Sequence, residues 1–193
     1  MPVMTRLEPW TEDRLDDAQR RVWDAVAGTR GRAVVDEHGA LIGPFNSWLR
    51  SPETGRLLAE LGAQLRFGSG LEPRLLELAV CTIGAHWRAE FEFWAHARLG
   101  LQAGLGQAVI DALAAGEDPP LTRADEVTVH RVVRGLLDDH RLPDDLYAEA
   151  VELLGEPGLV DLVALAGYYT IVSFVLNAFA VPLPPGHYQR WPD

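Results

Sequence analysis

The chain has 193 residues, 48% of them hydrophobic, which suits one globular domain with a sizeable core. Its formal net charge of −11 disfavours nucleic acids and anionic membranes as partners, because the averaged field repels phosphate groups. Cys81 is the one cysteine in the sequence, which excludes an internal disulfide, a CxxC pair and a cysteine-built zinc site.

Hydrophobic periodicity assigns the fold class. Apolar residues recur every three or four positions along most of the chain, which predicts an all-α protein. The first helix is predicted over residues 15–27, with a glycine stop, and residues 29–43 are predicted to form a glycine-containing loop that could act as a lid. We therefore expect residues 1–43 to form a helix-and-loop extension and residues 44–193 the main helical domain, together one compact unit.

Serine and proline mark the starts of the next helices. Ser51 as N-cap, with Pro52 at the first helical position, predicts a helix that ends at Gly68. Pro73 suits the first turn of the following helix, and a further helical pattern continues to a stop at Gly104. A short helix, "GQAVIDALAAG", is predicted after this stop.

The C-terminal third of the chain contains three more predicted features. Thr122 and Asp125 resemble a capping box for "TRADEVTVHRVVRGLLDDH", and Pro143 opens "PDDLYAEAVELLG". Residues 158–181 are apolar and near membrane-spanning length, but polar residues interrupt them and no Arg or Lys flanks them, so we expect a helix buried on nearly all sides. The tail, "VPLPPGHYQRWPD", cannot continue this helix. The first ten residues lack the pattern of a secretory signal, so we expect a cytoplasmic location.

Three titratable residues are candidates for acid–base chemistry. Glu77 lies in the apolar stretch "LLELAVCTIG", and a glutamate in a central helix needs a partner. Glu92 and His96 are four residues apart, so on a helix they share one face and can hydrogen-bond or act on one substrate. The alternatives are a solvated surface pair for Glu92 and His96, partial exposure for Glu77, and a core position for Trp87.

A metal site is not expected from this spacing. Glutamate and histidine four apart could ligate a metal, but the di-iron helical bundles use Glu-x-x-His, spaced three apart, with further glutamates on partner helices. We therefore predict no metal.

The segment "ELAVCTIGAHWRAEFEFWAHARLGLQAGL", residues 77–105, resembles the central part of the carboxymuconolactone decarboxylase-like family. In that family a helix with a glutamate leads into an A-E-Y-E-W-type stretch, a histidine and an "AGL" turn. Glu77, Glu92 and His96 fall on positions of this pattern, with Phe91 in place of the tyrosine. The superfamily also contains the alkylhydroperoxidase D-like (AhpD-like) proteins, whose signature is Glu, CxxC and His.

The sequence lacks the two cysteines that the dithiol chemistry of the peroxidase branch requires. The two cysteine positions of that branch fall here on Ala89 and Glu92, whereas thiol–disulfide exchange requires two sulfurs at that spacing. Cys81 is predicted to be a small buried apolar residue.

The resemblance implies an all-helical AhpD-like domain that associates into homodimers, trimers or hexamers. It also implies a cofactor-independent lyase or isomerase that acts on a small oxygenated carbonyl compound or lactone. His96 would then donate a proton or stabilise an oxyanion, Glu92 would orient His96, and Glu77 would be a second acid or base. The substrate-binding candidates are Asn46, His86, Trp87, Arg88 and Tyr169.

Two other functions remain open from the sequence. One is a helical oligomeric protein that binds a ligand without catalysis. The other is a peroxide or redox protein, which an exposed Cys81 with a lowered pKa would favour.

Overall fold

The computed structural model describes residues 5–191; the first four residues of the segment checked for a signal and the last two of the tail lie outside this range. Within it the chain forms no β-strand, only isolated bridges, and the all-α prediction is confirmed. The α-helices of this range are α1 (Asp17–Arg30), α2 (Phe45–Trp48), α3 (Pro52–Ala63), α4 (Pro73–His86), α5 (Glu90–Gln102), α6 (Gln107–Ala115), α7 (Ala124–Arg134) and α8 (Asp144–Ala178).

The described chain divides into two compact units. The first contains the chain up to Gly68 together with Val175–Pro182, and the second contains Ser69–Phe174 together with the chain from Leu183 onward. The predicted boundary after residue 43 lies inside the first unit. The division into residues 1–43 and 44–193 therefore stays a prediction.

In the first unit, α1 extends beyond Gly28, the glycine that was predicted to stop it. Asp16 and Gln19 form a capping box at its start, and the helix passes through Gly28 and ends against Gly31, which has a φ of 66°. The predicted end at residue 27 is therefore wrong, because a single glycine inside a helix is tolerated at about 1 kcal/mol. Helix α3 lies close to α2: a Cβ atom at Gly55 would be 2.5 Å from the Trp48 carbonyl oxygen.

The predicted helix starts are correct in position but not always in capping chemistry. Ser51 is the N-cap of α3 and Pro52 its first residue, yet the Ser51 side chain makes no capping hydrogen bond. The capping box predicted for Thr122 and Asp125 is wrong. Arg123 occupies the N-cap of α7, and its guanidinium binds Asp125, so an ion pair takes the carboxylate that the capping box would have used.

In the second unit, α4 is the central helix. It packs against α5, α6 and α7, and ten consecutive residues from Leu75 to Gly84 are buried. A cluster of fully or nearly fully buried side chains fills the space between α4, α5 and α6, including Leu78, Cys81, Phe93 and Ile110. Cys81 is 0% exposed, so its prediction as a small buried residue is confirmed.

Helix α8 joins two helices across a kink. Gly155 has non-helical angles, φ 70° and ψ 164°, and Pro157 follows it, so the two helical stretches predicted separately meet at this glycine. Of the helices in residues 5–191, α8 alone has the length and mean hydropathy, 1.9, of a membrane-crossing helix, and half of that apolar stretch is buried in the protein.

One side of α8 is both apolar and exposed. The expectation that this helix is buried on nearly all sides is wrong for the chain, because four large apolar side chains are at least two-fifths exposed. This α8 stripe consists of Val160, Val163, Ile171 and Phe174. Its members are separated by three, eight and three residues, which places them on one side of a helix.

Candidate functional site

Two glycines allow α4 and α5 to approach closely. A Cβ atom at Gly84 of α4 would lie 3.3 Å from the Phe93 backbone nitrogen and 3.5 Å from Glu92 Oε1. A Cβ atom at Gly100 of α5 would lie 3.6 Å from Glu77 Cβ. Because each glycine faces the other helix, the two backbones come together at both ends of the contact, and short side chains can meet between them.

Glu77 and His96 meet between these helices. The His96 Nδ1 atom lies 2.6 Å from Glu77 Oε2, and the two residues are 9% and 5% exposed. A carboxylate at Glu77 accepts the Nδ1–H hydrogen bond and so fixes the tautomer and the orientation of the ring. The prediction that Glu77 needs a partner is confirmed, and partial exposure of Glu77 is not observed.

Tyr169 of α8 packs against the His96 side of this pair. Its ring meets the His96 imidazole edge to face, with centroids 5.0 Å apart, and Tyr169 is 3% exposed. The aromatic ring limits the orientations of the imidazole, since such pairs favour one geometry. Tyr169 thus contacts His96, and its predicted role in binding the substrate stays a prediction.

Glu92 lies on α5 one turn before His96 but has a different partner. Ser173 Oγ of α8 donates a hydrogen bond of 2.9 Å to Glu92 Oε1, and Glu92 is 2% exposed. Its second oxygen, Oε2, is buried and has no hydrogen-bond partner among residues 5–191. Burial raises the pKa of Glu92 well above its ordinary 4.5 and so favours the protonated, neutral form of this side chain.

The geometry changes the roles that were predicted for Glu77 and Glu92. Glu92 and His96 are both buried, so the solvated-pair alternative is not observed. The hydrogen bond that orients His96 comes from Glu77, whereas the sequence assigned this task to Glu92. Ser173 is a residue that sequence reasoning missed as a member of the site; its only signal is a hydroxyl inside an otherwise apolar helix.

Cys81 lies one helical turn from Glu77 and cannot supply a thiolate readily. Burial, with a smaller contribution from the nearby Glu77, raises the pKa of the Cys81 thiol well above 9.0. A reactive cysteine has the opposite environment, with a lowered pKa and solvent access.

The turn between α4 and α5 carries three predicted substrate-binding residues. His86 Nδ1 lies 3.4 Å from Asp138 Oδ1, and burial lowers the pKa of this imidazole. The Trp87 ring packs edge to face against His86 and Phe174. Arg88 has a φ of 50°, and together with His86 it lines a cavity of about 420 Å³.

None of the residues that line this cavity is Glu77, Glu92, His96 or Tyr169. The structure therefore brings Tyr169 to the Glu77–His96 pair and puts His86 and Arg88 in a different place. Their predicted role in binding the substrate remains a prediction.

Asn46 belongs to the first unit, where its amide is used structurally. Its Nδ2 donates to the Trp10 carbonyl oxygen and its Oδ1 accepts from the Trp10 backbone nitrogen, both at 2.9 Å. This pairing ties the N-terminal segment to α2. Within the described part of the chain, no group of three or more His, Cys, Asp or Glu side chains is arranged to hold a metal ion.

Comparison with protein-family models and with curated proteins finds no match. Two solved structures are similar in fold. A protein described as an alkylhydroperoxidase AhpD core and an uncharacterized peroxidase-related protein, from Ralstonia eutropha, has a TM-score of 0.76 and 14% identity, with 100% of both chains covered. A protein of unknown function from Agrobacterium tumefaciens, for which a role as the antioxidant defence protein AhpD has been suggested, has a TM-score of 0.61 and 18% identity over 72% of this chain and 96% of its own. The chain therefore shares the all-α fold of these two structures.

Proposed function

We propose that the protein is a cofactor-independent acid–base enzyme, a lyase of the decarboxylase type or an isomerase, that acts on a small oxygenated carbonyl compound or lactone. The observation that carries this proposal is the 2.6 Å hydrogen bond between the buried Glu77 and His96, one helical turn from the buried acid Glu92. A buried carboxylate–imidazole pair is an arrangement that enzymes use for proton transfer.

The proposed chemistry depends on the protonation states of Glu77, Glu92 and His96. In a decarboxylation, the bond from carbon to the carboxylate breaks, CO2 leaves, and the electron pair passes into the conjugated carbonyl as an enolate. In this proposal Glu92 acts in its protonated form, which burial favours by raising its pKa, and donates a hydrogen bond from its carboxyl group to the enolate oxygen. His96 then delivers a proton to carbon, and Glu77 stabilises the imidazolium that is present before this transfer. Isomerisation uses the same groups without loss of CO2.

The test compares the wild type with His96→Gln on a panel of carboxylated lactones and β-keto acids, with CO2 release measured by mass. Hydrogen–deuterium exchange at the carbon next to a carbonyl, followed in D2O by NMR, detects proton transfer when no carboxylate is lost. His38→Gln, a change at an exposed histidine of the first unit, is the control. We expect His96→Gln to lose both activities by about 100-fold or more while the control retains them. Equal rates for the wild type and His96→Gln would overturn the proposal.

The redox alternative is tested at Cys81. Its burial and raised pKa argue against peroxide chemistry at this thiol. We expect Cys81→Ala to retain whatever turnover the wild type shows, and loss of a peroxidase activity in this variant would instead favour the alternative. The alternative of ligand binding without catalysis predicts no exchange or CO2 release by the wild type, with saturable binding only.

We propose a homo-oligomer as the working form of this protein. The α8 stripe supports this assembly, because an exposed row of large apolar side chains on one helix is typical of a protein–protein contact. The acidic net charge and the single buried thiol support a cytoplasmic location and a small-molecule substrate rather than a nucleic acid or a membrane as partner.

A further inference from the structure

One concave feature of the second unit lies away from the Glu77–His96 pair. It is the cavity of about 420 Å³, lined by residues from the end of α4, the end of α6, α7 and the C-terminal segment. Thr82 of α4 lines it, and this residue is about 140° around the helix from Glu77, since successive residues turn by about 100°. The cavity thus opens on a different side of α4.

Three of the charged residues that line the cavity are arginines, and two are acidic. Arg88, Arg134 and Arg190 line it, although the chain has a net charge of −11. Arg134 lies 2.7 Å from Asp138. Arg88 and Arg190 form no ion pair with a carboxylate among residues 5–191, and the guanidinium of Arg190 lies 5.4 Å from the centroid of the Phe93 ring. A guanidinium stacked on a ring keeps its N–H donors in its own plane, where they can bind an anion.

Arg88 occupies a backbone position that favours glycine. Its φ of 50° is left-handed, and the Schellman hydrogen bonds, Arg88 N to the Ala85 oxygen and Ala89 N to the Gly84 oxygen, run at 3.1 and 2.8 Å. A non-glycine residue in this conformation is strained by about 1–2 kcal/mol. His140 and Ala180 also have positive φ angles, so the strain by itself assigns no function; Arg88 differs from them because it lines the cavity.

The other polar residues that line the cavity suit a ligand that has a hydrogen-bonding group in addition to an anionic group. Burial lowers the pKa of both His86 and His130, so at neutral pH each imidazole is uncharged and offers one donor and one acceptor. Glu117 and Asp118, just beyond α6, add carboxylates that accept hydrogen bonds. A simple anion satisfies the arginines but not these acceptors.

We propose that this cavity binds a small organic anion that carries a carboxylate or phosphate group and also a hydroxyl or amino group. Arg88 and Arg190 pair with the anionic group, since guanidinium groups match planar and tetrahedral oxyanions. Glu117 and Asp118 accept hydrogen bonds from the hydroxyl or amino group. This site is independent of the proposed function, because none of the Glu77, Glu92 and His96 side chains lines it.

Isothermal titration calorimetry at low ionic strength tests the site, with inorganic phosphate and malate as probes. The wild type is compared with Arg88→Gly, and His140→Gly is the matched control, since His140 is exposed, also has a positive φ of 63° and does not line the cavity. Both variants relieve left-handed strain, so we expect neither to have a lower Tm than the wild type. Only Arg88→Gly should bind the probes about tenfold or more weakly.

A second pair of variants and a third probe sharpen the result. Arg190→Ala should weaken binding, whereas Arg98→Ala, at an exposed arginine of α5 outside the cavity, should not. Succinate lacks the hydroxyl of malate and should bind more weakly than malate, and the ratio of phosphate to malate affinity decides between the two anionic groups. The proposal is overturned if neither phosphate nor malate saturates the wild type at about 10 mM, or if Arg88→Gly binds them as tightly as the wild type.

Discussion

His96 Nδ1 and Glu77 Oε2 lie 2.6 Å apart, although 19 residues separate them in the sequence and they belong to different helices. The contact depends on the close approach of α4 and α5, which Gly84 and Gly100 allow. Its consequence is a buried imidazole whose orientation is set by a buried carboxylate.

Removing the charge of Glu77 should therefore act through His96. Glu77→Gln keeps the shape of the side chain but replaces a carboxylate that accepts the Nδ1–H bond with an amide, so the imidazolium loses its counter-charge. We expect the turnover number of the proposed reaction to fall about 100-fold or more, with a changed pH profile and a KM within about threefold of the wild type. Steady-state kinetics across pH measures this.

Glu72→Gln is the control for this change. Glu72 precedes α4, is half-exposed and binds Arg123 at the protein surface. Its loss should leave the kinetics unchanged. If the two variants behave alike, Glu77 does not act through His96.

The buried acid Glu92 should make stability depend on pH. Below its ordinary pKa of 4.5 the carboxyl is protonated in both the folded and the unfolded chain. As the pH rises above 4.5, the unfolded chain releases this proton while the folded chain keeps it, so the free energy of unfolding falls by about 1.4 kcal/mol per pH unit until the folded pKa is passed.

Glu92→Gln removes this titration and should unfold with a flatter pH profile than the wild type. Urea unfolding at pH values from about 4 to 9 measures the free energy of unfolding of both proteins. The difference between the two values cancels the contributions of other groups, such as the histidines. The difference should grow in favour of the variant as the pH rises. Parallel profiles would show that Glu92 ionises in the folded chain as it does in water.

The helix approach at Gly84 should be sensitive to one methyl group. In Gly84→Ala the new Cβ atom would lie 3.3 Å from the backbone nitrogen of Phe93, so α5 must shift. We expect the variant to lose about 1–3 kcal/mol of stability, measured by urea unfolding, and to weaken the proposed activity, because the Glu77–His96 distance changes with the helix separation.

Gly28→Ala is the matched change. Gly28 lies inside α1, and a Cβ atom there would meet nothing within 4 Å. This variant should gain up to about 1 kcal/mol, because alanine favours the helix. A stable and fully active Gly84→Ala protein would contradict the role given to the close approach of α4 and α5.

The α8 stripe predicts the response of the oligomer to a single charge. Val160 is 66% exposed in the chain, so glutamate at this position is tolerated in a folded monomer but is costly at an apolar contact between copies. We expect light scattering to give a larger mass for the wild type than for Val160→Glu, with unchanged helical content. Leu57→Glu, at a 56% exposed leucine of α3, should keep the wild-type mass. A monomeric wild type would contradict the proposed assembly.

The sequence predicted the helices well because their signals are local. Periodicity identified the all-α class, and the prolines at positions 52 and 73 marked the starts of α3 and α4. The sequence was a poorer guide where one side chain could form either a helix cap or an ion pair. Thr122 and Asp125 look like a capping box, but Asp125 binds Arg123, and the pattern alone does not rank a cap against an ion pair.

By itself the sequence determined which residues could form a proton-transfer site, namely Glu77, Glu92 and His96, and that the paired cysteines of peroxidase chemistry are absent. Only the tertiary structure decided how the three are used. His96 takes Glu77 as its partner because two glycines let α4 and α5 touch. Burial raises the pKa of Glu92, although the hydrogen bond from Ser173 acts in the opposite direction. Hydrogen bonding and desolvation depend on distances between helices, and the spacing of residues along one helix does not contain those distances.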